Sequence, residues 1–230
     1  MNTKTFLFKN YSSLKLLFIA KGISITLLAL RIKLTQDFYM LFMGWNLILA
    51  LIPFVVSMGL LRHVQAMTRP KSSLATTGSI AVLWLLFLPN APYMLTDLIH
   101  TANHSGVLFY IDTVTISSFA ITGLITALYS IEHMIIVVSI TWKPLSRLQQ
   151  NSLRHACWWL SALGIYLGRV LRWNSWDAIR EPAHIAADVL DLFLNPLTHA
   201  KAWLLIIGLG LFLSTVHHIF LKYNRYETRQ

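Results

Sequence analysis

The chain has 230 residues, 56% hydrophobic and only 12% charged, with a mean hydropathy of +0.59. A soluble domain carries roughly a quarter of its residues as Asp, Glu, Lys and Arg, so this composition excludes an ordinary soluble fold and points to the membrane class. The net charge of +10 is scattered beside apolar runs rather than along one stripe, the pattern of topology signals and not of a nucleic-acid surface, so no nucleic-acid partner is expected.

A helix needs about 20 mostly apolar residues to cross about 30 Å of hydrocarbon. The first run, residues 14–30, is short for this and carries Lys15 and Lys21. Lys15 can snorkel to the near interface, whereas Lys21 has no obvious place. A signal peptide is the rival reading, but the run ends in LALRIK without a small-x-small site, so a retained helix is expected. Five further runs follow at residues 38–61, 75–95, 107–131, 153–171 and 202–221. Apolar character after residue 107 persists to about Thr141, interrupted by Glu132 and His133. That is too short for two spans and fits one long, tilted helix. The expectation is an all-α bundle of about six transmembrane helices forming one membrane domain over residues 1–230. The single Cys157 leaves no intramolecular disulfide and reads as an inert packed thiol.

Loop charges predict the orientation. With the N-terminus inside, twelve basic residues fall on the inner side: Lys4, Lys9 and Lys15; Arg62, Arg69 and Lys71; Lys143, Arg147 and Arg154; Lys222, Arg225 and Arg229. Five fall outside: Arg31, Lys33, Arg172, Arg180 and Lys201. The bias predicts that both termini face the cytoplasm. Seven of the nine acids take the outer side; only Glu132 and Glu227 lie inside. Such segregation fits either outer-loop solubility or a chemical site on that face.

Four motifs gather at this outer end. In LFLPNAPYMLTDLIH, residues 86–100, Pro89 and Pro92 remove backbone donors and predict a bend. Asn90 lies between the prolines, and Tyr93, Asp97 and His100 share a face if an α-helix resumes. Asp97 and His100 suit either a shared proton or metal ligation, although ligation needs a third convergent group; no metal or other cofactor can be named from the sequence. In GIYLGRVLRWNSWD, residues 164–177, Arg169 and Arg172 are guanidinium groups suited to phosphate, with Asn174 and Asp177 close behind. Membrane lipids are the implied partners there. In WNLILALIP, residues 45–53, Asn46 stands in an apolar run and needs a polar partner. Asp112 enters from the outer end of the fourth span and is expected to pair with Arg169 or Arg172. In the loop, His184, Asp188, Asp191 and Asn195 recur on one face, and Ile185, Val189, Leu192 and Phe193 on the other. This spacing predicts an amphipathic helix lying on the outer interface. His217 and His218 are read as structural, and Glu132 and His133 as interfacial.

The segments WNLILALIP, LFLPNAPYMLTDLIH and GIYLGRVLRWNSWD, together with Asp112, resemble the bacterial integral-membrane family called domain of unknown function 1361. The resemblance covers most of the chain from the second span onward. It implies a multi-pass protein of about this length and supplies no activity.

Three functions fit the residues. The first is a membrane protein acting on a lipid or lipid-linked anionic substrate at the outer face. In it Asp97 and His100 serve as acid/base groups or ligands, and Asn46, Asn90, Tyr93, Asp112, Arg169, Arg172, Asn174 and Asp177 bind the substrate. The second is a transporter or channel, suggested by the broken helix. The third is an assembly partner in a membrane complex.

Overall fold

Prolines, close-packing glycines and one very long helix position everything else in this protein. The structure is a computed structural model describing residues 3–67, 74–103 and 105–227, and no strand occurs among the described residues. Arg69, Lys71 and Arg229, counted above as inner charges, lie outside them, as do the side chains of Lys4, Lys9 and Arg225.

All six apolar runs are built on helix. Helix α1 is continuous over Thr3–Thr35. A 3-10 turn, Tyr39–Leu41, leads into α2, Phe42–Ala66. Helix α3, Leu74–Phe87, stops before the prolines, and α4, Asn90–Tyr93, is a single turn. A 3-10 segment, Met94–Asn103, follows. Helix α5, Gly106–Thr141, is one 36-residue element, about 54 Å long at 1.5 Å per residue. That exceeds the hydrocarbon thickness, so the fourth run is the single long helix its length implied. Helix α6, Arg147–Arg169, opens with a Ser146/Gln149 capping box. The turn α7, Asp177–Arg180, the helix α8, Pro182–Leu194, and the long α9, Ala200–Glu227, complete the chain.

Four stretches among the described residues are long and apolar enough to cross a membrane: Tyr39–Ala66, Ala75–Thr101, Gly106–Thr141 and Ala200–Tyr223. Helix α1 carries Lys15, Lys21 and Arg31, and α6 opens on the polar RLQQNSLRH, so neither reaches that apolarity. The awkward Lys21 lies with its Nζ 5.6 Å from the Phe18 ring centre and 5.9 Å from that of Phe54 on α2. Two ring faces thus take part of the place of water around the ammonium.

Helix α5 is the axis of the bundle. Its Ile116, Phe119, Ala127 and Ile131 are fully buried in a core shared with α2, α3 and α4. A second, smaller core joins Ala162 and Tyr166 of α6 to Leu192 of α8 and to Ala202 and Ile206 of α9. The amphipathic α8 forms as its spacing predicted, with Leu192 its buried residue and Leu190, Phe193 and Leu194 exposed.

Glycines hold the proline turn from two sides. A Cβ at Gly123 of α5 would stand 2.1 Å from the carbonyl oxygen of Ala91, and one at Gly164 of α6 would stand 2.5 Å from the Pro89 ring. Both approaches require the missing side chain. Pro53 lies inside the continuous α2, and its carbonyl accepts the Ser130 hydroxyl of α5 at 2.9 Å, a polar tie between the two helices.

Candidate functional site

Pro89 and Pro92 end α3 and leave carbonyls to be matched. Asn90 takes one of them, donating Nδ2 to the Phe87 oxygen at 3.0 Å, and reaches Ser175 Oγ at 2.9 Å beyond α6. The chain then runs on as a 3-10 helix, not the α-helix assumed from the sequence. Three residues per turn align Asp97 with His100. The His100 Nε2 stays 4.0 Å from Asp97 Oδ1, an ion-pair distance but too long for a hydrogen bond. Its Nδ1 meets the Tyr39 hydroxyl at 3.1 Å instead.

Asp97 is the centre of this end of the bundle, 1% exposed. Its Oδ2 accepts Asn46 Nδ2 at 3.0 Å and its Oδ1 accepts Arg169 Nη2. Arg169 also donates to Thr96 Oγ1 from Nε at 2.9 Å and Nη2 at 2.7 Å, and its guanidinium lies 4.3 Å from the Tyr93 ring centre. The polar partner Asn46 needed is therefore Asp97. The positive charge of Arg169 is matched by a buried carboxylate, and three helical elements are tied at one point.

Asp112 corrects an expectation. It pairs with neither Arg169 nor Arg172 but with Arg31, whose Nε lies 3.0 Å from Asp112 Oδ1, both side chains being at most 1% exposed. Arg31 also donates to the Asp37 carbonyl at 2.8 Å and its carboxylate at 3.2 Å. The sequence placed Arg31 in a loop because the apolar run stops there. In fact α1 continues one turn further, and that turn faces the N-terminal half of α5. The Tyr39 backbone N–H donates to Asp37 Oδ1 at 2.8 Å, so the two ion pairs are joined through Asp37, Tyr39 and His100.

Helix α6 ends in a reversal whose left-handed residue is not a glycine. Arg172 takes the left-handed conformation at φ +64°, and the Trp173 N–H returns to the Leu167 carbonyl at 3.0 Å. The reversal lays residues 173–176 back over the end of α6 and leaves Arg172 exposed. Asp177 closes the loop by accepting the Asn174 backbone N–H at 2.7 Å and its Nδ2 at 3.1 Å. The Trp173 indole donates to Asp188 of α8 at 2.7 Å. Further along α8, Asn195 and then His199 hold the Asp191 carboxyl below its ordinary value by hydrogen bonding.

Between α2, α3–α4 and α6 these elements leave a cleft of about 370 Å³, within the range of ligand sites. Its lining is graded along the helices. Leu49, Leu85, Leu86, Leu160 and Leu163 stand toward the bundle interior. Asn46, Asn90 and Tyr93 lie toward the end, with Asn174, Ser175 and Trp176 of the loop above them. From Leu160 to Gly168 this covers about 12 Å along α6.

The structure thus places Asn46, Asn90, Tyr93 and Asn174 on the wall of one cleft, with Asp97 bonded to Asn46, Arg169 seated on Tyr93, His100 beside Asp97 and Asp177 bonded to Asn174. Asp112 belongs to the adjoining Arg31 pair, and Arg172 does not line the cleft. No group of three His, Cys, Asp or Glu side chains able to hold a metal occurs among the described residues. Among the described residues Asp97 and His100 have no third such side chain beside them.

A second polar cluster was missed. Glu132, read as interfacial, receives Arg154 Nε at 2.6 Å and Nη2 at 2.9 Å and meets His217 Nε2 at 2.8 Å. His217 in turn meets the Trp158 indole at 2.7 Å. His133, 2% exposed, faces Ser57 at 3.4 Å. These groups lie between helices rather than on the perimeter. An acid within a long apolar run was the available signal, but linear sequence does not say which helix supplies its partner. The α5 hydroxyls between the clusters mostly bond their own helix: Ser118 to the Thr115 carbonyl, Thr122 to Ser118 and Thr126 to Thr122.

Long apolar helices whose polar groups are paired internally define a helical protein embedded in the membrane. Residues 45–216 match the family described as protein of unknown function (DUF1361), and the chain belongs to that family. No curated protein and no solved structure matches it.

Proposed function

We propose that this protein crosses the bacterial cytoplasmic membrane six times, with both termini in the cytoplasm, and binds a lipid or lipid-linked substrate in the cleft at its outer end. The observation that carries the reading is the grading of the cleft wall. Leucines line the part that would lie at acyl-chain depth, and amides with indoles line the part at headgroup depth, where aromatic residues favour the interface. Twelve inner against five outer basic residues support the orientation. In this reading Asp97 positions Asn46 and Arg169 rather than touching the substrate, because it is buried behind them. A transport path receives less support, since Ser118, Thr122 and Thr126 of α5 are engaged with their own helix carbonyls and Ser130 with that of Pro53.

The test uses the full chain, extracted in mild detergent, with its retained lipids measured by mass spectrometry. Wild type is expected to keep about one lipid per chain. Leu49→Trp and Leu163→Trp, which obstruct the cleft from opposite walls, are expected to lower retention about tenfold, a loss of ~1.4 kcal/mol. Equal retention by wild type and both folded variants would refute the proposal.

A further inference from the structure

Resting on the lipid-cleft reading, we infer that the headgroup taken by this cleft is a neutral glycosyl group rather than a phosphate. Two observations meet here. Among the described residues lining the cleft, none carries a charge. Arg169, outside the lining, is matched by Asp97 and seated on Tyr93. A phosphate seated on this wall would find no positive charge in the lining to offset its desolvation.

The amides then give the polarity of the site. An Asn side chain can be read either way round, but here the partners decide, because carboxylates and carbonyls only accept. Asn46 must turn Nδ2 to Asp97, Asn90 must turn Nδ2 to the Phe87 carbonyl, and Asn174 must turn Nδ2 to Asp177. All three amides keep Oδ1 as an acceptor, and Asn46 and Asn174 each keep a second Nδ2 hydrogen, whereas Asn90 has spent both of its own. Ser175 accepts from Asn90 and keeps its own hydrogen to donate. Amide acceptors and donors with one hydroxyl suit a ligand rich in hydroxyl groups, each of which both donates and accepts. Trp45, Trp173 and Trp176 line the same region and supply flat apolar faces for the C–H side of a sugar ring. An anion would find only neutral partners in this lining. A cationic headgroup would likewise find no charged side chain in the lining.

The experiment reconstitutes the full chain in nanodiscs with equal amounts of glucosyl-diacylglycerol, phosphatidylglycerol and diacylglycerol of the same acyl chains. Lipid retained after re-extraction is measured by mass spectrometry. The glucosyl lipid is expected to exceed each of the others about tenfold. Asn90→Leu is expected to reduce that excess about three- to tenfold, as for one lost hydrogen bond. Asn174→Ala, on an exposed loop where folding is not at stake, is expected to act in the same direction. Preference for phosphatidylglycerol, or equal retention of glucosyl and plain diacylglycerol, would overturn the glycosyl assignment and leave the lipid cleft standing. Retention of all three that is indifferent to Leu49→Trp would overturn both.

Discussion

Gly123→Ala adds one methyl group to α5 at the point where the proline turn rests on it. That methyl would stand 2.1 Å from the Ala91 carbonyl oxygen, 2.5 Å from Met94 Cε and 3.2 Å from the Ala91 carbonyl carbon. The methionine tip can swing away. The Ala91 backbone cannot, because it is held between Pro89 and Pro92, and Pro89 in turn abuts Gly164 of α6. Overpacking in a tight core costs about 1–3 kcal/mol, and an immovable backbone atom places this site at the upper end, about 3 kcal/mol. Alanine's helix propensity offsets at most ~1 kcal/mol, so a net loss of about 2 kcal/mol is expected. The displaced turn also moves Asn90 and Asp97, so lipid retention in the cleft is expected to fall with stability. Gly208→Ala on α9 is the matched control, since a Cβ there meets nothing within 4 Å. Equilibrium unfolding of the two variants in one detergent or bicelle system decides the matter. If Gly123→Ala is as stable as Gly208→Ala, the close approach of α4 to α5 is wrong, and the geometry of the cleft with it.

Asp112→Asn leaves the Arg31 guanidinium facing a neutral amide in a buried place and is expected to destabilise the fold by about 3 kcal/mol. Adding Arg31→Met is expected to restore most of that loss, whereas adding Arg169→Met is not; rescue by the second alone would assign Asp112 the wrong partner. Glu132→Gln weakens the bidentate Arg154 pair and the His217 contact together, so a loss of about 3 kcal/mol is expected. Hydrogen exchange is expected to rise in α9 and the first half of α6, and protection unchanged there would refute the coupling.

Composition and periodicity were enough for the fold class, because transfer of backbone into lipid admits few solutions and helix is the one that apolar runs of this length satisfy. The long fourth helix, the broken third span and the amphipathic α8 were legible for the same local reasons: run length, proline chemistry and the spacing of apolar residues. Much of the site was legible too, since Asn46, Asn90, Tyr93, Asp97, Arg169 and Asn174 declare themselves as polar residues next to apolar spans. Pairing was not legible. Arg31 reached Asp112 only because α1 runs one turn past its apolar segment, and Glu132 found Arg154 and His217 from two other helices. Nor did the sequence reveal that the proline turn continues as a 3-10 helix, or that Arg172 takes a left-handed conformation more usual for glycine. Local sequence sets which groups must be satisfied inside the membrane. Which helix satisfies them depends on faces and crossing points that exist only once the bundle is packed. For that reason the outer-end motifs became a cleft, with Arg169 matched by Asp97 and three amides turned the same way, only in the tertiary structure.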